Sequence, residues 1–263
     1  MENPINILDG YIPQLENQHK HREFLRIVPS VDPVIIKITA ARALANRGIT
    51  AKQYGGDTTV ITTTTIHDEK LEDLHWKDEL EIVEKFNPDY HIPADCPTYQ
   101  DGDQTPLERK ENLDTYLEGM IYMHDRLEDT HILPLIKGEE RSERKRVKEV
   151  LDCLGYDYAV FYVTQMMVSG MKHYRVIGKI NQIANQFSNT NILVMGMQVP
   201  RYLKQVSSNV VAVSGQKWRK VADPTKHDRQ DVVSNYRELE KKIIESLGEQ
   251  EQPSLFRFKE VEA

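Results

Sequence analysis

Apolar positions along the chain recur in two periods. Short β-branched and aliphatic runs, bounded by Gly, Asn, Asp or Pro, alternate with longer stretches whose apolar residues fall three and four apart. The short runs predict strands at 24–28 (FLRIV), 58–65 (TTVITTTT), 89–93 (DYHIP), 131–136 (HILPLI), 158–163 (YAVFYV), 191–196 (NILVMG) and 209–214 (NVVAVS). The longer stretches predict helices, beginning with SVDPVIIKITAARALANRG, entered at Asp32-Pro33 and stopped at Gly48. The others are HDEKLEDLHWKDELEIVEKF, TPLERKENLDTYLEGMIYMHDRL, EERSERKRVKEVLDCLG, KHYRVIGKINQIANQF and HDRQDVVSNYRELEKKIIESLG.

Strands alternating with helices imply a parallel sheet with helical crossovers. A closed barrel and an open doubly wound sheet both satisfy this. The strand count near eight and the repeat spacing favour an α/β chain folded as a (β/α)8 barrel of the TIM type. With 263 residues the chain is short for that fold, which leaves room for a missing or degenerate element. The barrel is expected over 1–247, and the Glu- and Gln-rich segment 248–263 as a flexible tail.

Composition narrows the class. No apolar run approaches the ~18 residues of a membrane span, and mean hydropathy is −0.57. MENPINILDGYIPQ has neither the basic nor the apolar block of a secretory signal. Cys96 and Cys153 are the two cysteines, too few for a disulfide framework or an all-cysteine zinc site. A reducing, cytoplasmic setting follows as the expectation. The net charge of −7 excludes a general nucleic-acid coat, though not a local basic face.

In a parallel barrel, reactive side chains hang from the C-terminal strand ends. Asp95 follows YHIPA and is bracketed by Pro93 and Pro97, which stiffen the loop, although Asp is also a common turn residue. Lys137 ends HILPLI, where it can bind an anion or a carbonyl, or simply be solvated. Phe161 and Tyr162 end the next strand, and Met166, Met167, Met171, Met195 and Met197 gather near two strand ends. Stacking on a flat ligand and ordinary core packing both fit these. No phosphate loop, metal-ligand spacing or nucleophile elbow is present, so neither a metal nor a cofactor is expected.

The segments FNPDYHIPADCPTY, HILPLIKG, DYAVFYV and NILVMGMQVPRYLKQVSSNVVAVSGQKW, over roughly 85–220, resemble in order and spacing the catalytic strands of tRNA-guanine transglycosylases and their DNA-acting relatives. The resemblance implies exchange of guanine for a 7-deazaguanine base in DNA, less readily in tRNA, and a clamp-like segment in the tail adds an archaeal or viral setting. It implies Asp95 as acid/base on the base, with Lys137, Phe161, Tyr162, Met195 and Gly196 around it. Ser214 stands where the family has its nucleophilic Asp, with Trp218 at the matching place beyond it, and the family's zinc cysteines are absent. A hydroxyl neither stabilises an anomeric cation nor forms a sugar ester well. Hence the chemistry is changed, another carboxylate substitutes (Asp57, Asp68 or Asp223), or the chain is a catalytically degenerate nucleic-acid-binding protein or partner subunit of an active transglycosylase. A homodimer is a further expectation from the family.

Two surface features extend that reading. Arg141, Arg144, Lys145, Arg146 and Lys148 open one helix, and Lys217, Arg219 and Lys220 follow the Ser214 strand, an expected phosphate-contacting rim. In the tail, Gln252, Leu255, Phe256 and Phe258 resemble a sliding-clamp-binding peptide. From the fold alone, a small-molecule barrel enzyme such as a lyase or isomerase remains a separate expectation.

Overall fold

The computed structural model describes residues 8–66, 68–98 and 104–249, except the side chains of Asp68 and Val168. In chain order the elements are β1 (Gly10–Leu15), α1 (His19–Ile27), β2 (Val34–Lys37), α2 (Ile38–Ala45), α3 (Ala51–Gly55), β3 (Val60–Thr63), α4 (Asp68–Leu71), α5 (Trp76–Phe86), β4 (Tyr90–Ile92) and α6 (Pro106–His124). They continue with β5 (His131–Ile132), α7 (Arg141–Leu154), β6 (Tyr158–Tyr162), α8 (Thr164–Val168), α9 (His173–Gln186), β7 (Asn191–Met195), α10 (Pro200–Leu203), β8 (Val210–Gly215), α11 (Trp218–Val221) and α12 (Arg229–Gly248).

All pairings are parallel, in the order β5-β4-β3-β2-β1-β8-β7-β6. The ring closes through residues just beyond β5. Leu135 bridges Val160, Ile136 N–H donates to Val160 O at 2.7 Å, and Val160 N–H donates to Pro134 O at 2.8 Å. The fold is therefore a (β/α)8 barrel. Local chemistry sets many boundaries. Thr105 and Glu108 form a capping box with Pro106 in the first turn of α6. Asn87 ends α5 and Gly155 ends α7, both in left-handed conformation.

Two predicted elements differ. FLRIV, read as a strand, lies largely within α1, whose His21, Phe24 and Ile27 bury one face at helical spacing. VIIK, read as helix, is β2, and β1 was not anticipated at all. β2 passes into α2 without an intervening loop, so its apolar residues merge with the helical pattern after them.

Register decides which side chains enter the barrel, because paired residues on parallel strands share a face and successive residues alternate. Tyr11 packs on Tyr236 of α12, with ring centroids 6.2 Å apart, so Tyr11 and its partner Val213 face outward. Ile12 and its partner Ser214 consequently face inward. The same bookkeeping turns Gln14, Ile35 and Lys37 inward, then Thr63 and Ile92, and on the far side Met195 and Tyr162. Leu135, sharing a face with inward Val160, places Lys137 two residues later on the inner side. Among the described residues no helix is long and apolar enough to cross a membrane.

Candidate active site at the barrel mouth

The C-terminal ends of β4 and β5 bring two opposite charges into contact. Lys137 Nζ ion-pairs with Asp95 Oδ1, and the two side chains are only 7% and 3% exposed. Lys137 Nζ also donates to Cys96 O at 2.7 Å. Burying two charges costs several kcal/mol per ion before their attraction offsets it. Such a pair is a poor way to gain stability and a good way to hold chemistry ready.

The loop carrying Asp95 is held from beneath. Ala94 adopts φ 53°, a left-handed conformation that costs a non-glycine residue about 1–3 kcal/mol. Its N–H donates to Glu79 Oε1 at 2.9 Å, and His91 Nε2 lies 2.8 Å from the same oxygen. His91 Nδ1 lies 2.8 Å from Thr62 Oγ1. Asp95 N–H donates to Thr64 Oγ1 at 3.0 Å, and Thr64 Oγ1 donates to Ile92 O at 3.0 Å. Asn112 Nδ2 donates to Pro97 O at 2.8 Å from α6. Burial pushes the Cys96 thiol up to about 11, so it stays protonated and is no nucleophile at neutral pH.

The remaining sequence candidates divide by face. Met195, Tyr162 and Ser214 share one inward layer, Tyr162 half-buried and the other two sealed. Ser214 is fully buried in the wall, and its Oγ has no hydrogen-bond partner among the described residues. That is a poor position for a nucleophile, which needs both access and an adjacent base. Phe161 pairs with Val194, itself paired with outward Val213, so its ring packs under the helices and does not line the mouth. Gly196 has φ 115°, and a Cβ there would lie 2.8 Å from Thr164 N, so glycine is required by the close approach of β7 to α8. Trp218 stacks on Phe24 at 4.1 Å and donates to Gln14 O at 3.0 Å, a packing role.

The basic rim is largely committed elsewhere. Arg144 is buried, donating to Gly138 O at 3.2 Å, Glu139 O at 2.5 Å and Gln186 Oε1 at 3.1 Å, so it closes the loop after Lys137 and cannot reach a phosphate backbone. Arg146 pairs with Asp114, Lys145 with Glu149 at 3.5 Å, and Lys148 with Asp152 at 2.6 Å. Arg141 is exposed where α7 begins, and Lys220 stands on α11. Lys217 N–H and Nζ both donate to Gln198, at 2.8 and 3.2 Å, and Arg219 donates to Gln216 at 2.6 Å. None of the substitute carboxylates gains support. Asp57 precedes β3 at the opposite end and pairs with exposed Lys52 at 2.8 Å. Asp223 accepts from Thr225 N–H and Oγ1 at 3.0 and 2.7 Å, and the Asp68 side chain lies outside the description. The clamp-like residues Gln252, Leu255, Phe256 and Phe258 also lie outside the described residues.

Sequence reasoning missed Lys37, Gln14, Thr64, Glu79 and His91. The first two ride on the strands it did not place. The others carry no motif, because their roles depend on contacts across the sheet.

No protein-family model matches the chain, and no curated protein matches it in sequence. Solved structures are similar in fold. One from Coccidioides immitis, assigned as a fructose-1,6-biphosphate aldolase, is 12% identical, covering 92% of this chain and 92% of that chain at a TM-score of 0.53. KGPDC from Streptococcus mutans is 12% identical over 90% and 97% of the two chains, at a TM-score of 0.51. N-acetylneuraminate lyase from Mycoplasma synoviae is 10% identical over 92% and 79%, at a TM-score of 0.50. At these identities the likeness shows the fold alone.

These neighbours overturn the transglycosylase expectation. These three are named as an aldolase, a lyase and KGPDC, and none as a guanine transglycosylase. Pentosyltransfer, deazaguanine insertion and DNA modification fall with it, as does the degenerate-subunit alternative derived from the same family. The physical reason is that the resemblance rested on the order of polar residues at strand ends, which every parallel barrel shares. The positions that would have distinguished the family, Ser214 and Phe161, are a sealed hydroxyl and an outward ring.

Proposed function

We propose that this chain is a lyase acting on a small anionic carbonyl compound, cleaving or forming a bond next to the carbonyl through an enolate. The observation that carries the reading is the buried Asp95–Lys137 pair at adjacent strand ends, with Lys37 on β2 and half-buried Tyr162 on β6 also turned inward at their strand ends. Lys137 faces the Asp95 carboxylate as one half of an ion pair. A cationic lysine is an electrophile suited to a developing enolate oxygen, not a Schiff-base nucleophile. Asp95 then moves the proton at the carbon end. Once substrate oxygen takes the ammonium, Asp95 is released as a base beside the α-carbon. Lys37 supplies a second positive charge for a substrate carboxylate or phosphate. The helix N-termini that collect at this face of any (β/α)8 barrel favour the same charge. An aldolase and a lyase among the fold neighbours agree with this chemistry without assigning it.

The experiment is α-proton exchange in D2O, followed by proton NMR, on a panel of 2-oxo acids, their aldol adducts and triose phosphates. Wild-type protein should exchange or cleave at least one member. Asp95→Asn and Lys137→Met should each lose about 100-fold or more. No turnover of any member, or turnover untouched by both substitutions, refutes the reading.

A further inference from the structure

A cavity lies at the end of the barrel opposite the Asp95–Lys137 pair. It has a volume of about 340 Å³ and sits where β4, β5 and β6 begin, against the end of α6. That is within the range of small-molecule sites, which begins at roughly 300 Å³. Its walls are aromatic. Tyr90, Tyr156 and Tyr158 line it with His124 and His131. The Tyr90 and His131 rings lie 5.4 Å apart, and Tyr156 OH lies 2.6 Å from His124 Nδ1. Leu8 supplies an aliphatic patch.

The charge around these rings is of one sign. Glu128 and Asp157 line the cavity and are exposed to solvent, while no lysine or arginine does so among the described residues. Burial, then Asp9 and Asp157, pushes the Tyr158 phenol up to about 12, which registers the negative field on the ring. Helices of a (β/α)8 barrel run antiparallel to its strands, so their negative dipole ends gather at this face. α6 and α7, with 19 and 14 residues, both finish beside the cavity, at His124 and Leu154. Aromatic faces attract cations, most strongly when carboxylates stand beside them.

We infer that this cavity binds an organic ammonium ion, held against Tyr90, Tyr156 and Tyr158 and neutralised by Glu128 and Asp157. The site is independent of the mouth, and its occupancy does not depend on the reaction proposed there. Three rings and two acids select charge and shape together. A neutral molecule of the same shape gains the apolar contact and loses the electrostatic part.

The test is isothermal titration of the full chain with choline, putrescine and spermidine, beside 3,3-dimethylbutanol as the uncharged isostere of choline. At least one cation should bind saturably at one site, and the alcohol about tenfold more weakly or not at all. Glu128→Gln with Asp157→Asn should weaken cation binding about tenfold. Both residues are exposed, so this variant keeps its fold, which circular dichroism verifies. Tyr158→Phe should retain binding and Tyr158→Leu should lose it. Choline in preference to the amines identifies a quaternary ligand, and the reverse a primary one; either supports the site. No saturable heat from any cation, equal affinity for the alcohol, or affinity unchanged in the double variant overturns it.

Discussion

Replacing Lys137 by Met removes the cation from a carboxylate whose side chain is 3% exposed. The aliphatic stem is retained, so little packing is lost and the change isolates the charge. Removing one member of a buried pair costs about 3–5 kcal/mol, because the survivor is left uncompensated in a poorly solvating place. For a domain this size each kcal/mol lowers Tm by about 2–4 °C, so the expected fall is about 6–20 °C. Asp95→Asn strands the ammonium instead and should cost a similar amount. The double variant Asp95→Asn/Lys137→Met leaves no charge buried at this pair. It should therefore be more stable than the sum of the two single effects by about 1.5 kcal/mol or more. Urea unfolding of all four proteins, followed by circular dichroism and the fluorescence of fully buried Trp218, measures the cycle. Single variants within ~0.5 kcal/mol of wild type, or strictly additive effects, would refute the claim that the two charges depend on each other.

Three further outcomes follow from the geometry. Glu79→Ala strips the acceptor from Ala94 N–H and from His91, and should lower turnover at the mouth at least tenfold with Asp95 intact, whereas Glu79→Gln should recover part of it; equal activity in both variants and wild type rejects the positioning role. His21 is fully buried, and burial, which outweighs the opposing pull of nearby Glu16, lowers its pKa from 6.5 to about 4. The unfolded chain therefore binds the extra proton first, so stability falls as pH drops from about 6.5 toward 4. His21→Asn should flatten that slope in pH-dependent unfolding, and an unchanged slope counts against it. Gly196→Ala should cost more than ~1 kcal/mol by thermal unfolding, since φ 115° and the approach of Thr164 both exclude a Cβ; a neutral result would show that β7 and α8 can separate.

Much of the barrel could be read from the chain. The amphipathic spacing of α6, α7, α9 and α12, and the β-branched runs of β6, β7 and β8, placed those elements because each is long enough for its period to show. Asp95 and Lys137 stood out because prolines bracket one and an apolar strand delivers the other. The transglycosylase resemblance read more than the order of strand ends contains.

What pattern alone determined was alternation, and with it a parallel (β/α)8 barrel. What only the tertiary structure decided was pairing. β1 (GYIPQL) is no β-branched run, and β2 passes straight into α2, so its apolar residues merge with a helical period; both are strands because their backbone groups find partners on β8 and β3. FLRIV is helical because that choice buries Phe24 against Trp218, nearly two hundred residues away. Lys137 meets Asp95, Glu79 meets Ala94, and the tyrosines of the lower cavity come to line one space only in the folded barrel. Local propensity over a few residues amounts to a fraction of a kcal/mol per position, and long-range burial and hydrogen bonding outweigh it.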